Sequence, residues 1–148
     1  MIPLKVTDVR EVPGDSAFLI DDGKTAVLYD TGFAFTGYAV ADRITEELGN
    51  RKLDYILLTH SHYDHVLGTP YILKRYPEAK VVAGSYAAHI FTKESARATM
   101  RRLDNSCAAG YGITEYDDLI DDLRVDITVD DGDLVKCGDM AFRIIGLP

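Results

Sequence analysis

Cysteine and histidine are scarce in this sequence, and long apolar runs are missing. Two cysteines occur in 148 residues, Cys107 and Cys137, and neither sits in a C-x-x-C pair. That usage argues against a cysteine metal site, and nothing in it demands a disulfide. No apolar stretch reaches the roughly 20 residues that cross a bilayer, so no membrane partner is expected. The opening residues, "MIPLKVTDVREV", lack the basic start and apolar block of a signal peptide. A cytoplasmic location is the resulting expectation. Positive charge is in deficit: 16 Lys and Arg stand against 24 Asp and Glu, a formal net charge of −8. A surface of that sign repels a phosphate backbone, which excludes nucleic acid as a partner of a broad basic face. Repeats and low-complexity tracts do not occur. The length suits one domain with a real core.

What is present reads as alternating strands and helices. Residues 4–12 alternate as a strand. "AFLIDDGKTAVLYD" is a hairpin signal around Asp21-Asp22-Gly23-Lys24. Val40, Ile44 and Leu48 lie at helical spacing within 37–48, closed by Gly49. Residues 54–58 form a short apolar strand without alternation, the pattern of a strand covered on both faces. Thr69-Pro70 predicts an N-cap and first turn of a helix to about Tyr76. "AKVVAG" is another strand. Ser85 and Thr92 are candidate caps for helices to about Phe91 and about Leu103. The acidic segment from Asp104 onward reads as a turn-rich connection, and residues 123–148 as strands joined by Asp-Gly and Cys-Gly turns. The pattern is that of an α/β protein with a hairpin-rich sheet.

Three of the four histidines fall within six residues, in "YILLTHSHYDHVLG". On an extended chain His60, His62 and Asp64 share one side. His65 breaks that period, so the chain must turn there, and Gly68 permits a bend. Imidazole nitrogens and a carboxylate suit zinc, iron or manganese. Two ligand pairs could serve two ions, which in two-metal sites lie roughly 3.5–4 Å apart. A lone histidine at a strand end is usually a hydrogen-bonding residue. Three clustered at the end of an α/β strand, where active sites sit, favour ligation.

His60-Ser61-His62-Tyr63-Asp64-His65 resembles the H-x-H-x-D-H signature of the metallo-β-lactamase superfamily, and Asp30-Thr31-Gly32 resembles that family's earlier strand-end landmark. The resemblance implies a four-layer αββα sandwich, of which residues 1–148 are read as a single N-terminal portion, roughly the first half of a truncated domain. It implies two divalent ions, zinc first and iron or manganese as alternatives. His60 and His62 would hold one ion, Asp64 and His65 the other, with Asp64 also handling a proton or the attacking water. Asp30 would brace the loop from behind. The implied activity is hydrolysis of an ester, thioester, lactone, amide or phosphodiester by a metal-bound hydroxide, on a small-molecule substrate. Two rival readings are an iron-dependent oxidoreductase resembling persulfide dioxygenases, and a non-catalytic scaffold. The family's later ligands would lie beyond "FRIIGLP", and no histidine follows His89. The chain alone is therefore expected to be inactive, to bind metal weakly and to self-associate through an open sheet face.

Other chemistry-bearing residues carry blander expectations. His89 reads as a surface or core residue of a helix. Tyr63 packs, or faces substrate. Lys93, Arg97, Arg101 and Arg102 read as a solvated helix face. The pairs Asp117-Asp118, Asp121-Asp122 and Asp130-Asp131 lack calcium-loop spacing and read as turns and surface. The stretch 92–118 is also a candidate cap over the active site.

Overall fold

The computed structural model describes residues 4–59 and 61–145. Six strands form one mixed sheet in sequential order: β1 (Lys5–Asp8), β2 (Phe18–Asp21), β3 (Ala26–Tyr29), β4 (Tyr55–Leu58), β5 (Lys80–Gly84) and β6 (Ile127–Val129). β1 to β3 are antiparallel neighbours; β3 to β6 run parallel. Each parallel step is a helical crossover. β3 and β4 are joined by α1 (Gly37–Leu48), and β4 and β5 by α2 (Tyr63–Val66) and α3 (Thr69–Arg75). β5 and β6 are joined by α4 (Ser85–Phe91) and α5 (Glu94–Gly110). A hairpin of β7 (Leu134–Cys137) and β8 (Met140–Arg143) follows.

The sheet has two unlike faces. Leu19, Ala26, Leu28, Ile56, Leu58, Val81 and Ala83 point to the helices and build the main core with α1 and α3. α1 lies there because Val40, Ala41, Ile44 and Leu48 form its buried stripe, and Gly49, at φ 62°, ends it. The opposite face carries Val27, Leu57, Val82 and Val129, covered by Val135 and Cys137 of the β7–β8 hairpin. Burying each such side chain is worth about 1.5–3 kcal/mol. This second face is only partly covered. Val6, paired with Ile20, is 61% exposed, and Ile127, paired with Val82, is 39% exposed.

Three local expectations are corrected. The strand placed at 4–12 ends at Asp8, because Val12 turns back to accept from the Asp15 N–H. Thr69 and Ser85 are first helical residues rather than caps, which are Gly68 and Gly84, and the cap of α5 is Lys93 rather than Thr92. Helix α5 continues to Gly110, through residues read as a turn. There the buried Asp104 carboxylate accepts from the Ala34 and Phe35 N–H groups at 2.8 and 3.3 Å, a tertiary tie that outweighs local propensity.

Candidate metal centre

The site lies at the C-terminal ends of the parallel strands, where the loops after β3 and β4 meet. Asp30 ends β3 in the left-handed region, at φ 61°, a conformation an aspartate tolerates better than most residues. Its N–H donates to the Leu57 carbonyl at 2.8 Å. This turns its side chain, 1% exposed with the rest of the residue, under the motif loop. Oδ1 accepts from the Thr59 N–H at 2.9 Å, and Oδ2 accepts from the Thr59 hydroxyl at 2.7 Å and the Ser16 hydroxyl at 3.2 Å. Oδ2 also lies 2.9 Å from Nδ1 of His65.

The motif loop is shaped to make that contact. His62 is extended, at φ −77° and ψ 143°, and caps the single helical turn of α2. That turn brings His65 round, as its break in the alternating period requires. The His65 carbonyl accepts from the Thr31 N–H at 2.8 Å, and the Gly68 N–H donates to the Gly32 carbonyl at 3.1 Å. A Cβ at Gly68 would collide with the Thr31 carbonyl, so this crossing of two backbones needs glycine. The Thr69 hydroxyl donates to Val66 O and bonds the Thr31 hydroxyl, locking the two loops beneath the site.

His62, Asp64 and His65 follow one another round this turn. The His62 and His65 rings are 6.5 Å apart at their centroids, and His65 Nε2 is 3.8 Å from Asp64 Oδ1. His60 lies outside the described residues. Among the described residues no three ligand-type side chains converge on a single point. The donor set nonetheless fits a divalent ion. Two ligands held at about 2.1 Å in a tetrahedral site are about 3.4 Å apart, near the Asp64–His65 spacing. Engagement of Nδ1 by a carboxylate is the outer support that a ligating histidine usually has, and it leaves Nε2 as the nitrogen that could hold a metal. The Asp30 hydrogen bond raises the His65 pKa, against the opposing effect of burial.

A second layer holds the first. Asp15 Oδ1 accepts from the Phe33 N–H and the Thr36 hydroxyl, both at 3.0 Å, and Oδ2 accepts from the Glu11 N–H at 3.1 Å. Asp104 grips the same 33–36 loop from α5 and accepts from the Tyr116 hydroxyl at 2.6 Å. Burial pushes both carboxyls above the ordinary aspartate value. Phe33 stacks on Phe35 at 4.8 Å and meets Tyr63 at 5.8 Å, joining this loop to the motif. Two of the basic residues of α5 are ion-paired rather than simply solvated: Arg101 with Asp118, and Arg97 with Asp121 at 3.1 Å. His89 is exposed, as expected. A cavity of about 390 Å³ opens between α2 and α5, lined by Ser61, His62, Tyr63, Asp64, Met100 and Leu103. Another, of about 210 Å³, lies on the other side of Thr59 between the sheet and the β7–β8 hairpin.

The sequence profile of the metallo-beta-lactamase superfamily matches residues 12–148. The chain belongs to that superfamily. The metallo-beta-lactamase fold is also what its solved neighbours share. A subclass B3 metallo-beta-lactamase from a soil metagenome library, MEM-A1, superposes with TM-score 0.58 at 23% identity, over 88% of this chain and 45% of that one. The B3 enzyme BJP-1 of Bradyrhizobium japonicum gives 0.55 at 25% identity, over 84% and 42%. By sequence, the chain is 42% identical over 65 residues to a hydroxyacylglutathione hydrolase of Stenotrophomonas maltophilia (strain R551-3), covering 44% of this chain and 23% of the relative. It is 33% identical over 73 residues to the atrochrysone carboxyl ACP thioesterase dmxR1 of Cryptosporiopsis sp. (strain 8999), covering 49% and 22%. The chain thus spans under half of those two solved structures and under a quarter of these curated relatives. Metallo-beta-lactamase folds carry divalent metal ions. No helix among the described residues is long and apolar enough to cross a membrane.

Sequence reasoning missed four residues that shape this superfamily site. Thr59, directly before the motif, had a positional signal. Ser16, Asp15 and Asp104 had none, since the partners that tie them to the site's loops lie 14 to 70 residues away.

Proposed function

We propose that this chain carries the motif half of a metal-dependent hydrolase that cleaves a thioester. His60 and His62 hold one divalent ion and Asp64 and His65 a second, zinc in both places. Bound ions supply a polarised carbonyl and an activated water at neutral pH. The remaining roles fall to the protein. Asp30 fixes the tautomer and direction of His65. Thr59 and Ser16 hold Asp30 in place. Asp64, on the rim of the cavity, orients the attacking water and accepts its proton.

The observation that carries this reading is the 2.9 Å contact between His65 Nδ1 and the buried Asp30 carboxylate. A buried acid aimed at the back of a histidine, in a loop with two further ligand types, suits metal support better than packing. The thioester enters from the relatives, whose names specify a hydroxyacylglutathione and an acyl carrier protein. The test uses the complete protein, purified without added metal. Metal content is measured, and thiol release is followed from hydroxyacyl-glutathione and acyl-carrier thioesters. Zinc near two per chain with thiol release is expected, and His62→Ala should abolish release while the fold persists. Iron with oxygen uptake and no thiol release would overturn the reading.

A further inference from the structure

The cavity beside His62 and Asp64 has a wall that metal binding does not explain. Its far side is α5, where Met100 and Leu103 face the motif, and Tyr63 completes the apolar surface. Met100 is 6% exposed, whereas Leu103 is 39% exposed on a helix whose other exposed positions are mostly polar. Single exposed leucines are ordinary on protein surfaces. This one shares a 390 Å³ hollow with two candidate metal ligands.

The wall is also rigid. One residue past Leu103, Asp104 is fixed to the 33–36 loop by two backbone N–H groups. One residue past Met100, Arg101 is tied to Asp118 and Asp121. Tyr63 is backed by Phe33, itself stacked on Phe35. A surface whose backbone is already anchored loses less entropy when a ligand covers it. The described residues of the lining include no lysine or arginine to fix a charged group at the far wall, which Tyr63, Met100 and Leu103 make apolar. An uncharged apolar chain is the ligand that matches the lining.

We propose that this cavity takes the acyl chain of the thioester substrate. Tyr63, Met100 and Leu103 grip the chain and the reacting carbonyl lies toward His62 and Asp64. The proposal rests on the thioesterase reading for the identity of the chain. It makes Leu103 and Met100 specificity-determining residues contributed by the crossover between β5 and β6. Each methylene buried there should favour binding by up to about fourfold.

The test has one arm without turnover and one with it. In the first, the complete protein, metal-free and 13C-labelled at methionine methyls, is titrated with S-hexyl and S-ethyl N-acetylcysteamine, thioethers that cannot be hydrolysed. The Met100 methyl is assigned by its loss in Met100→Leu. The hexyl probe should shift it and bind at least tenfold more tightly than the ethyl probe, and Leu103→Asp should erase that preference. A Met100 methyl unmoved by the hexyl probe overturns the proposal. In the second arm, the metal-loaded enzyme is assayed on thioesters from acetyl to hexanoyl. Leu103→Ala and Leu103→Asp should lower the hexanoyl-to-acetyl ratio of kcat/KM, by about tenfold for Asp. An unchanged ratio overturns the subsite. Absence of all thioester hydrolysis, with the methyl shift intact, overturns the thioesterase reading and leaves the apolar-chain site standing.

Discussion

His65 Nδ1 and Asp30 Oδ2 stand 2.9 Å apart across 35 residues of sequence, joining the end of β3 to the loop after β4. The contact depends on the parallel pairing of those strands, with Tyr29 opposite Leu57. Asn at position 30 tolerates the left-handed backbone but cannot offer the same charge. Asp30→Asn in the complete protein should therefore weaken metal affinity by about 10- to 100-fold with little loss of fold. Competition against a chelator measures it; an affinity equal to wild type would remove Asp30 from its supporting role.

Asp104→Ala would leave the buried Ala34 N–H and the half-buried Phe35 N–H without their acceptor. The cost is about 1–3 kcal/mol for each buried donor so stranded. Tyr116 keeps a partner in Asn105 Oδ1. Urea unfolding should show a clear fall in midpoint. A midpoint unchanged within error would mean that α5 is held by its ion pairs instead.

The same aspartate gives a pH signature. Burial raises its carboxyl above the ordinary value of 3.8, so the folded chain holds that proton more tightly than the unfolded chain. The resulting stability is complete below about 3.8 and is lost as pH rises through the raised folded value. Asp104→Asn does not titrate. The stability of Asp104→Asn relative to wild type should therefore improve as pH climbs from acid toward 7. Asp15 shifts in the same direction and is present in both proteins, so the difference reports position 104 together with its repulsion from Asp15. Unfolding curves at four or five pH values decide this; parallel stabilities across the range would refute it.

The incompletely covered sheet face leads to a prediction about association. Leu4, Val6, Tyr29, Ile127 and Ile145 are 58%, 61%, 40%, 39% and 76% exposed. Val6, Tyr29 and Ile127 share the face of Val27, Leu57 and Val82. The 148-residue chain should pair through this face at micromolar concentration. Light scattering after size exclusion should show a dimer, converted toward monomer by Val6→Lys. A monomer at all concentrations would show that the hairpin's cover suffices.

The pieces legible in the sequence were those set by short-range pattern. The stripe of Val40, Ile44 and Leu48 gave α1 its two ends, and Asp21-Asp22-Gly23-Lys24 gave the β2–β3 turn. The six-residue motif gave the loop, and with Asp30-Thr31-Gly32 it gave the superfamily. Two of the misses share one cause. Asp104 looked like a helix-ending residue because its partners, Ala34 and Phe35, are 69 to 70 positions away. Thr69 looked like a cap because its hydroxyl's partner on the neighbouring loop, Thr31, could not be read from spacing. Polar residues in the interior are chosen by distant neighbours, and periodicity does not register them.

The Asp104 carboxylate makes the polar tie from the β5–β6 crossover to the loop behind the motif, beside the ring contacts of Phe35 with Tyr111 and Tyr116. The crossover is thus a wall whose register against that loop is set by one charged group. A helix borrowed from another protein could bring a new cavity wall and new selectivity. It would have to present an acid at the place of Asp104, or the wall would swing loose and the borrowed selectivity with it.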